Sequence, residues 1–220
     1  MKIGLISPVM NNFKGFARLM ESVDVPVLPL PVNNWDHNRG VSGGWNAGIS
    51  YARQTECTHA IVANDDTCFE PGTIMKLVEA IDDGAGFVVS AINRRDQKED
   101  LPYEIRPGCD YSCFMLKPMD FFETVGTFDE NLFPAYFEDN DMERRINLLG
   151  LKPVHRTDAM HFHRGSETQN WGENPVVSSD MFERNRAYYI HKWGGEPLLE
   201  RYTNPYNNPD FSVKDWKAGW

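Results

Sequence analysis

The sequence predicts an α/β fold on a mainly parallel central sheet flanked by helices, and three observations carry that prediction. Short apolar runs suited to buried strands alternate with amphipathic helical periods through the first 92 residues. The runs break off at Pro8 and at Asn64-Asp65-Asp66, as strands do where they give way to loops at a sheet edge. The chain of 220 residues is 41% hydrophobic, enough apolar material for one substantial core.

In chain order, MKIGLISP (1–8) is too short for a useful helix and reads as a buried strand closed by Pro8. Phe13, Phe16, Ala17, Met20 and Val23 recur at helical spacing behind a cap at Asn11 or Asn12. VPVLPLPV (25–32) is a second extended segment whose three prolines place it at an edge, and Asn33 and Asn34 follow it. Asn38 to Gly48 reads as a Gly-rich loop leading into a helix over Ile49 to Gln54. HAIVA (59–63) is the next buried strand. Pro71 opens a helix burying Ile74, Leu77, Val78 and Ile81, and GFVVSAI (86–92) is a further strand.

The second half is less regular. Residues 93–108 are polar and read as a mobile loop, with Arg94, Arg95, Lys98 and Arg106 as a candidate phosphate-contacting patch. SCFMLK is a short strand, and PMDFFETVG a short helix stopped by Gly126. Glu138 to Leu149 is the strongest helix of this half, with acidic residues in its first turn and Gly150 past its end. Residues 153–165 are extended, Ser179 to Trp193 form the last helix, and the tail from Asn204 reads as a surface arm. The expected organisation is one domain over 1–203 with an arm over 204–220.

Lys and Arg total 22 against 32 Asp and Glu, a formal net charge of -10, so the average field repels polyanions and disfavours non-specific nucleic-acid or anionic-membrane binding. Cys57, Cys68, Cys109 and Cys113 contain no Cys-x-x-Cys pair and read as reduced thiols. No apolar run reaches 18 residues and the first residues lack a signal-peptide pattern, so a soluble, cytoplasmic protein with no membrane span is expected.

Three constellations are able to carry chemistry. Asn64-Asp65-Asp66 places two carboxylates where a buried strand ends, and hard divalent cations prefer such oxygens; the plain alternative is an Asx turn. Glu138, Asp139 and Asp141 share one helical turn: they suit the helix dipole, yet crowding raises at least one pKa and makes a candidate base. His161 and His163 alternate on an extended segment beside Arg164, so both imidazoles can face one cavity toward a metal or phosphate. Ser42-Gly43-Gly44 can approach a ligand closely or close a plain turn. P-loop, Gly-x-Gly-x-x-Gly and Gly-x-Ser-x-Gly patterns are absent.

Taken in order, these pieces resemble the inverting family-2 glycosyltransferases of the GT-A fold, a Rossmann-like α/β fold, and especially their short rhamnosyltransferase-like members. The resemblance covers roughly residues 3 to 193. It is carried by LISPVMNN, by Val32-Asn33-Asn34 with Asn for the usual Asp, and by Asn38-Arg39-Gly40 with Asn46-Ala47-Gly48. Asn64-Asp65-Asp66-Thr67 resembles the DXD metal motif with Asn64 in place of its first acid. Val125 to Phe133, the Glu138-Asp139-x-Asp141 helix start with Arg144 and Arg145, and His161 with Ser166 complete it.

The resemblance implies a nucleotide-sugar donor (a UDP-, GDP- or dTDP-sugar) and Mn²⁺ or Mg²⁺ held by Asp66 with His161 as a further ligand. It implies Asn64 and Asp65 on the nucleotide sugar, Asn33, Asn38 and Asn46 on base and ribose, and Pro8 framing the base pocket. It implies Asp139 as the base that deprotonates an acceptor hydroxyl, with Glu138 orienting acceptor or base. The acceptor would be a glycan, a lipid-linked sugar, a protein or a modified DNA base. A nucleotidyltransferase would use the same carboxylates, but PVMNNFKG lacks its Gly-rich, basic loop; a silent nucleotide-sugar or glycan-binding module has no need of Asp66 and Asp139.

Overall fold

Five strands of the sheet point the same way: β1 (Ile3–Val9), β2 (Leu28–Asn33), β3 (His59–Ala63), β5 (Val88–Asn93) and β8 (Pro153–His163). Against them run β4 (Thr67–Phe69), β6 (Ile105–Pro107) and β7 (Cys113–Leu116). The computed structural model describes residues 1–95, 99–163 and 178–215. Strand order is β2-β1-β3-β7-β5-β8-β4, with β6 also on β8. The reversed β7 therefore sits between two parallel blocks.

The central strands read as unbroken apolar runs because both faces are covered: every residue of β3 and of β7 is buried. One face receives α1 (Phe13–Glu21) and α3 (Thr73–Asp82), whose Leu19, Ile74, Leu77, Val78 and Ile81 pack on Ile61, Val89 and Met115. The other receives α2 (Gly40–Gln54), α4 (Pro118–Thr124) and α5 (Glu138–Leu148) through Trp45, Ile49, Phe121, Met142 and Ile146. A third cluster joins Leu132 and Phe137 to Tyr188, Tyr189 and Trp193 of α6 (Ser179–Trp193).

Two expectations are corrected. The helix expected from Ile49 begins at Gly40, so the Gly-rich stretch is helical. Its glycines serve close packing: a Cβ on Gly48 would run into Ile6 of β1, and the helix lies flush on that strand. The polar segment after β5 is not all loop, because β6 pairs with β8 through Ile105 and Arg156. The described part of the C-terminal arm lies on the surface but is pinned to the body. The Tyr206 hydroxyl is 2.7 Å from that of Tyr188 and Lys214 Nζ donates to the Glu123 carbonyl, while Asn204 Nδ2 braces the arm internally by donating to the Phe211 carbonyl at 2.8 Å. All four cysteines are free thiols.

Gly48→Ala forces α2 off β1 and is expected to cost about 1–3 kcal/mol of unfolding free energy by overpacking, measured in urea.

Candidate active site

The carboxyl ends of the forward strands and the amino end of reversed β7 meet at one edge of the sheet, where open α/β sheets bind ligands. The turn after β3 and the end of β8 are brought together because β4 pairs antiparallel with β8, Thr67 opposite His163 and Phe69 opposite His161. Asp66 Oδ1 lies 3.0 Å from His163 Nε2, and Asn64 Nδ2 lies 3.3 Å from the same nitrogen. Asp65 is buried beside them, with Asn12 Nδ2 at 3.5 Å. Burial first, then the charge of Asp66, pushes its pKa up to about 7. The same Asn12 caps α1 by accepting from the Gly15 N–H at 3.0 Å, and a Cβ on residue 15 would strike the Asp65 carbonyl. The α1 start and the acidic turn are thus built against each other.

Of the two histidines, the one beside Asp66 is His163. His161, expected with Asp66, is fully buried one strand repeat further back, and its Nε2 faces Ser112 Oγ at 3.0 Å and Asp110 Oδ2 at 3.7 Å. Burial pushes its pKa down to about 4, so it is neutral at physiological pH. Both imidazoles do share one side of β8. Arg164 and Ser166 lie outside the described residues.

The residues expected on the nucleotide divide. Pro8 and Asn64 stand at the edge, at the ends of β1 and β3. Asn33 is exposed and closes a local turn, accepting from the Trp35 N–H at 2.8 Å and donating to Asp36 at 3.1 Å. The buried neighbour is Asn34, whose Nδ2 donates to the Gly40 carbonyl at 3.1 Å and whose Oδ1 has no partner. Asn38 accepts from the Gly40 N–H at 2.8 Å and opens α2. Asn46 is turned away from the edge. Its Oδ1 accepts from the Phe128 N–H at 2.8 Å, and its Nδ2 donates to the Phe128 carbonyl at 3.0 Å and to Glu130 at 2.8 Å. With both amide hydrogens and the oxygen engaged, it clamps the 128–130 segment rather than a ligand.

Across the edge, α5 starts abruptly. Tyr136 and Phe137 both adopt left-handed φ (78° and 73°), uncommon for such side chains, and Glu138 is the first helical residue. Asn185 of α6 holds this bend by donating to the carbonyls of Ala135 (2.9 Å) and Tyr136 (3.3 Å). Glu138 is buried with its Oε2 unpartnered, and burial, with Asp139 alongside, raises its pKa well above the ordinary carboxylate value. Asp139 is half-buried and its Oδ1 accepts from the Asn140 N–H at 2.8 Å. Burial raises its pKa, with a smaller upward push from Asp110.

Asp141 does not join them, contrary to the crowding expected from sequence. It is wholly buried, its Oδ1 2.6 Å from Lys192 Nζ and 2.8 Å from Trp193 Nε1, its Oδ2 2.9 Å from Arg145 Nε. Burial alone would raise its pKa, but Lys192 and Arg145 more than offset this and hold it below the usual range. Lys192 Nζ also lies 2.7 Å from Asp129 Oδ2, and Arg145 donates to the Val125 and Thr127 carbonyls at 3.2 and 2.8 Å.

Sequence reasoning missed Asp110 and Ser112. Asp110 Oδ1 accepts from the Ser112 N–H at 2.9 Å and from its hydroxyl at 2.5 Å. Asp-x-Ser just before a strand carries this turn signal. Two of the four cations of the expected phosphate patch are matched locally, Arg94 by Asp100 at 2.5 Å and Arg106 by Glu104 at 2.7 Å, while Lys98 lies outside the described residues.

A divalent ion fits the chemistry of this edge. Among the described residues no three His, Cys, Asp or Glu side chains converge as a closed metal cage, but the Asp66 oxygen and the His163 nitrogen form an open two-ligand set. Mg²⁺-like ions are held in that way when substrate phosphates and water complete the shell. Among the described residues no helix is long and apolar enough to cross a membrane.

Comparison with known proteins gives a match to the model for glycosyl transferase family 2 over residues 32–140. Among solved structures, S. aureus TarS 1–349 is similar at a TM-score of 0.56 and 14% identity, over 76% of this chain and 61% of that one. The mannosyltransferase PcManGT from Pyrobaculum calidifontis, in complex with GDP-Man and Mn²⁺, gives 0.56 and 13%, over 74% and 58%. GalNAc-T7 with UDP, GalNAc and Mn²⁺ gives 0.65 and 12%, over 88% and 48%. The chain therefore spans about three fifths of the first of these structures and 48% of the last. No curated protein matches the sequence.

Removing the Asn46 amide leaves buried groups of Phe128 and Glu130 unpaired, so Asn46→Ala is expected to lower the unfolding free energy by about 2–3 kcal/mol in urea denaturation.

Proposed function

We propose that the chain, which shares the GT-A fold of its structural neighbours and matches the family-2 model over residues 32–140, is a metal-dependent, inverting glycosyltransferase using Asp139 as its base. The observation that carries this reading is the pairing of Asp66 with His163 at the sheet edge, with Asp139 at the start of α5 near enough to Asp110 for their charges to interact. A nucleotide-sugar donor lies along the strand ends, with Pro8, Asn34 and Asn38 bounding its base and Asn64 and Asp65 its ribose and diphosphate. The Mn²⁺ complexes of PcManGT and GalNAc-T7, and the UDP-GlcNAc complex of TarS, support a nucleotide diphosphate with a divalent ion. Asp66 and His163 would hold Mn²⁺ or Mg²⁺, which supplies positive charge against the departing diphosphate.

Asp139 takes the proton of the acceptor hydroxyl as that oxygen attacks the anomeric carbon, and a single displacement inverts it. Burial raises the affinity of Asp139 for that proton, which suits a general base near neutral pH. Glu138, whose buried Oε2 has no partner within the protein, orients the acceptor through that oxygen. His161, neutral and held by Ser112, backs His163 without competing for charge. The internal pairing of Arg94 and Arg106 supports a neutral acceptor such as a glycan over a nucleic acid.

Mn²⁺ with UDP or GDP is expected to raise the melting temperature of the wild type and to leave that of Asp66→Ala unmoved, read by thermal shift. Asp139→Asn is expected to lower kcat at least 10²-fold with the KM for donor kept within about threefold. Because only ionised Asp139 accepts the proton and burial raises its pKa, kcat rises with pH along an acid limb lying above the usual carboxylate range. A limb at or below pH 4 removes Asp139 from the role.

A further inference from the structure

The ammonium of Lys192 lies between two buried carboxylates, 2.7 Å from Asp129 Oδ2 and 2.6 Å from Asp141 Oδ1, and none of the three reaches the sheet edge. Asp141 stands two residues after Asp139 in the same helical turn. At about 100° per residue the two side chains leave the axis about 200° apart, so driving Asp141 into the core turns Asp139 out toward the crevice. Two donors, Lys192 Nζ and Trp193 Nε1, and the ion pair with Arg145 fix Asp141 in that inward position. Arg145 belongs to α5 itself and rotates with it. Lys192 and Trp193 belong to α6 and supply the external reference.

The same face of α6 holds the other side of the helix start. Asn185, Tyr188 and Lys192 recur at i, i+3 and i+7, and all are buried. Asn185 clamps the left-handed bend at Ala135 and Tyr136, and the Tyr188 hydroxyl donates to Asp129 at 2.7 Å. The first turn of α5 is therefore gripped before Glu138 and after Asp139 by one helix.

We propose that Lys192 is a positioning residue for the reaction: by locking Asp141 to Asp129 it sets the rotation of α5 that presents Glu138 and Asp139 to the acceptor. The role rests on the assignment of Asp139 as base. Lys192 touches neither donor nor acceptor, so its loss acts on turnover and not on donor binding.

The test uses the full chain carrying Asp129→Asn/Lys192→Met, Lys192→Arg or Lys192→Met. The double variant removes one carboxylate together with the ammonium, so no unpaired like charges remain and Asp141 keeps Arg145. Four quantities are measured: melting temperature, Mn²⁺-dependent UDP and GDP binding, nucleoside diphosphate release from UDP- and GDP-sugars, and amide hydrogen exchange over 137–142. The double variant is expected to melt within a few degrees of wild type and bind UDP or GDP as tightly. Its 137–142 amides are expected to exchange at least tenfold faster, its kcat to fall at least tenfold, and its donor KM to stay within twofold. Lys192→Arg is expected to recover part of both losses. A folded double variant with wild-type exchange and wild-type kcat overturns the proposal, as does a fall in kcat matched by an equal rise in donor KM. If the double variant does not fold, Lys192→Arg decides: faster 137–142 exchange with a lowered kcat at unchanged donor KM carries the proposal, and faster exchange with wild-type kcat overturns it. Should the wild type release no nucleoside diphosphate from any donor, the glycosyltransferase reading fails, while the exchange rates still report whether Lys192 holds the turn.

Discussion

A buried lysine between two buried aspartates is the constraint on which the far side of the crevice depends. Charges withdrawn from water are costly, and they are tolerated only where partners satisfy them closely. Lys192 meets that condition with Asp129 and Asp141, and Arg145, Trp193 and Tyr188 complete the shell. Such a network tolerates few arrangements, because any shift strands a charge in the core. That intolerance makes it a good reference for a helix whose first residues must face a reacting centre. The left-handed pair Tyr136 and Phe137, strained by ~1–3 kcal/mol each, is held by the same helix that supplies the lysine.

The acidic excess of the chain resolves into two populations with opposite roles. Asp65, Asp66, Glu138 and Asp139 stand along the strand ends, where burial raises the pKa of Asp65 to about 7 and those of Glu138 and Asp139 above the ordinary carboxylate value. Asp129 and Asp141 are turned inward and matched by cations. Nearby arginines on the surface, Arg94 and Arg106, are matched too. The crevice is thus left as the region where negative charge is only partly compensated, which suits a site that admits a cation with its phosphates.

Much of this was legible in the residues. Apolar alternation placed β1, β3, β5 and α3, and the strand-end acids of Asn64-Asp65-Asp66 pointed to the right edge. What escaped did so for physical reasons. Glycines at 44 and 48 signal loops by propensity, yet tertiary packing makes them the surface on which α2 meets β1. Asn46 and Asp141 look like ligand contacts by type and spacing, but whether such a side chain faces a substrate or the core depends on partners 82 and 51 residues away, Phe128 and Lys192. Lys192 itself lies in a helix with a polar composition, and only the fold reveals that its Asn, Tyr and Lys share the buried face.

The turn after β3 has a geometric consequence for the sheet as a whole. In strand order β4 is four places from β3, which on a flat sheet is ~19 Å at ~4.8 Å per step. Only Asn64, Asp65 and Asp66 join them, and four Cα steps span at most ~15 Å even fully extended. The Thr67 N–H donating to the Asn64 carbonyl at 3.0 Å shortens that reach further. The sheet cannot lie flat and satisfy this tether, so its edge is drawn in like a purse, and the register break between β5 and β8 at Ser90 to Ile92 is where the strands yield. The hollow at the strand ends is therefore a product of chain length as much as of side chains: three residues, two of them acidic, pull the rim closed around the place where they themselves are displayed.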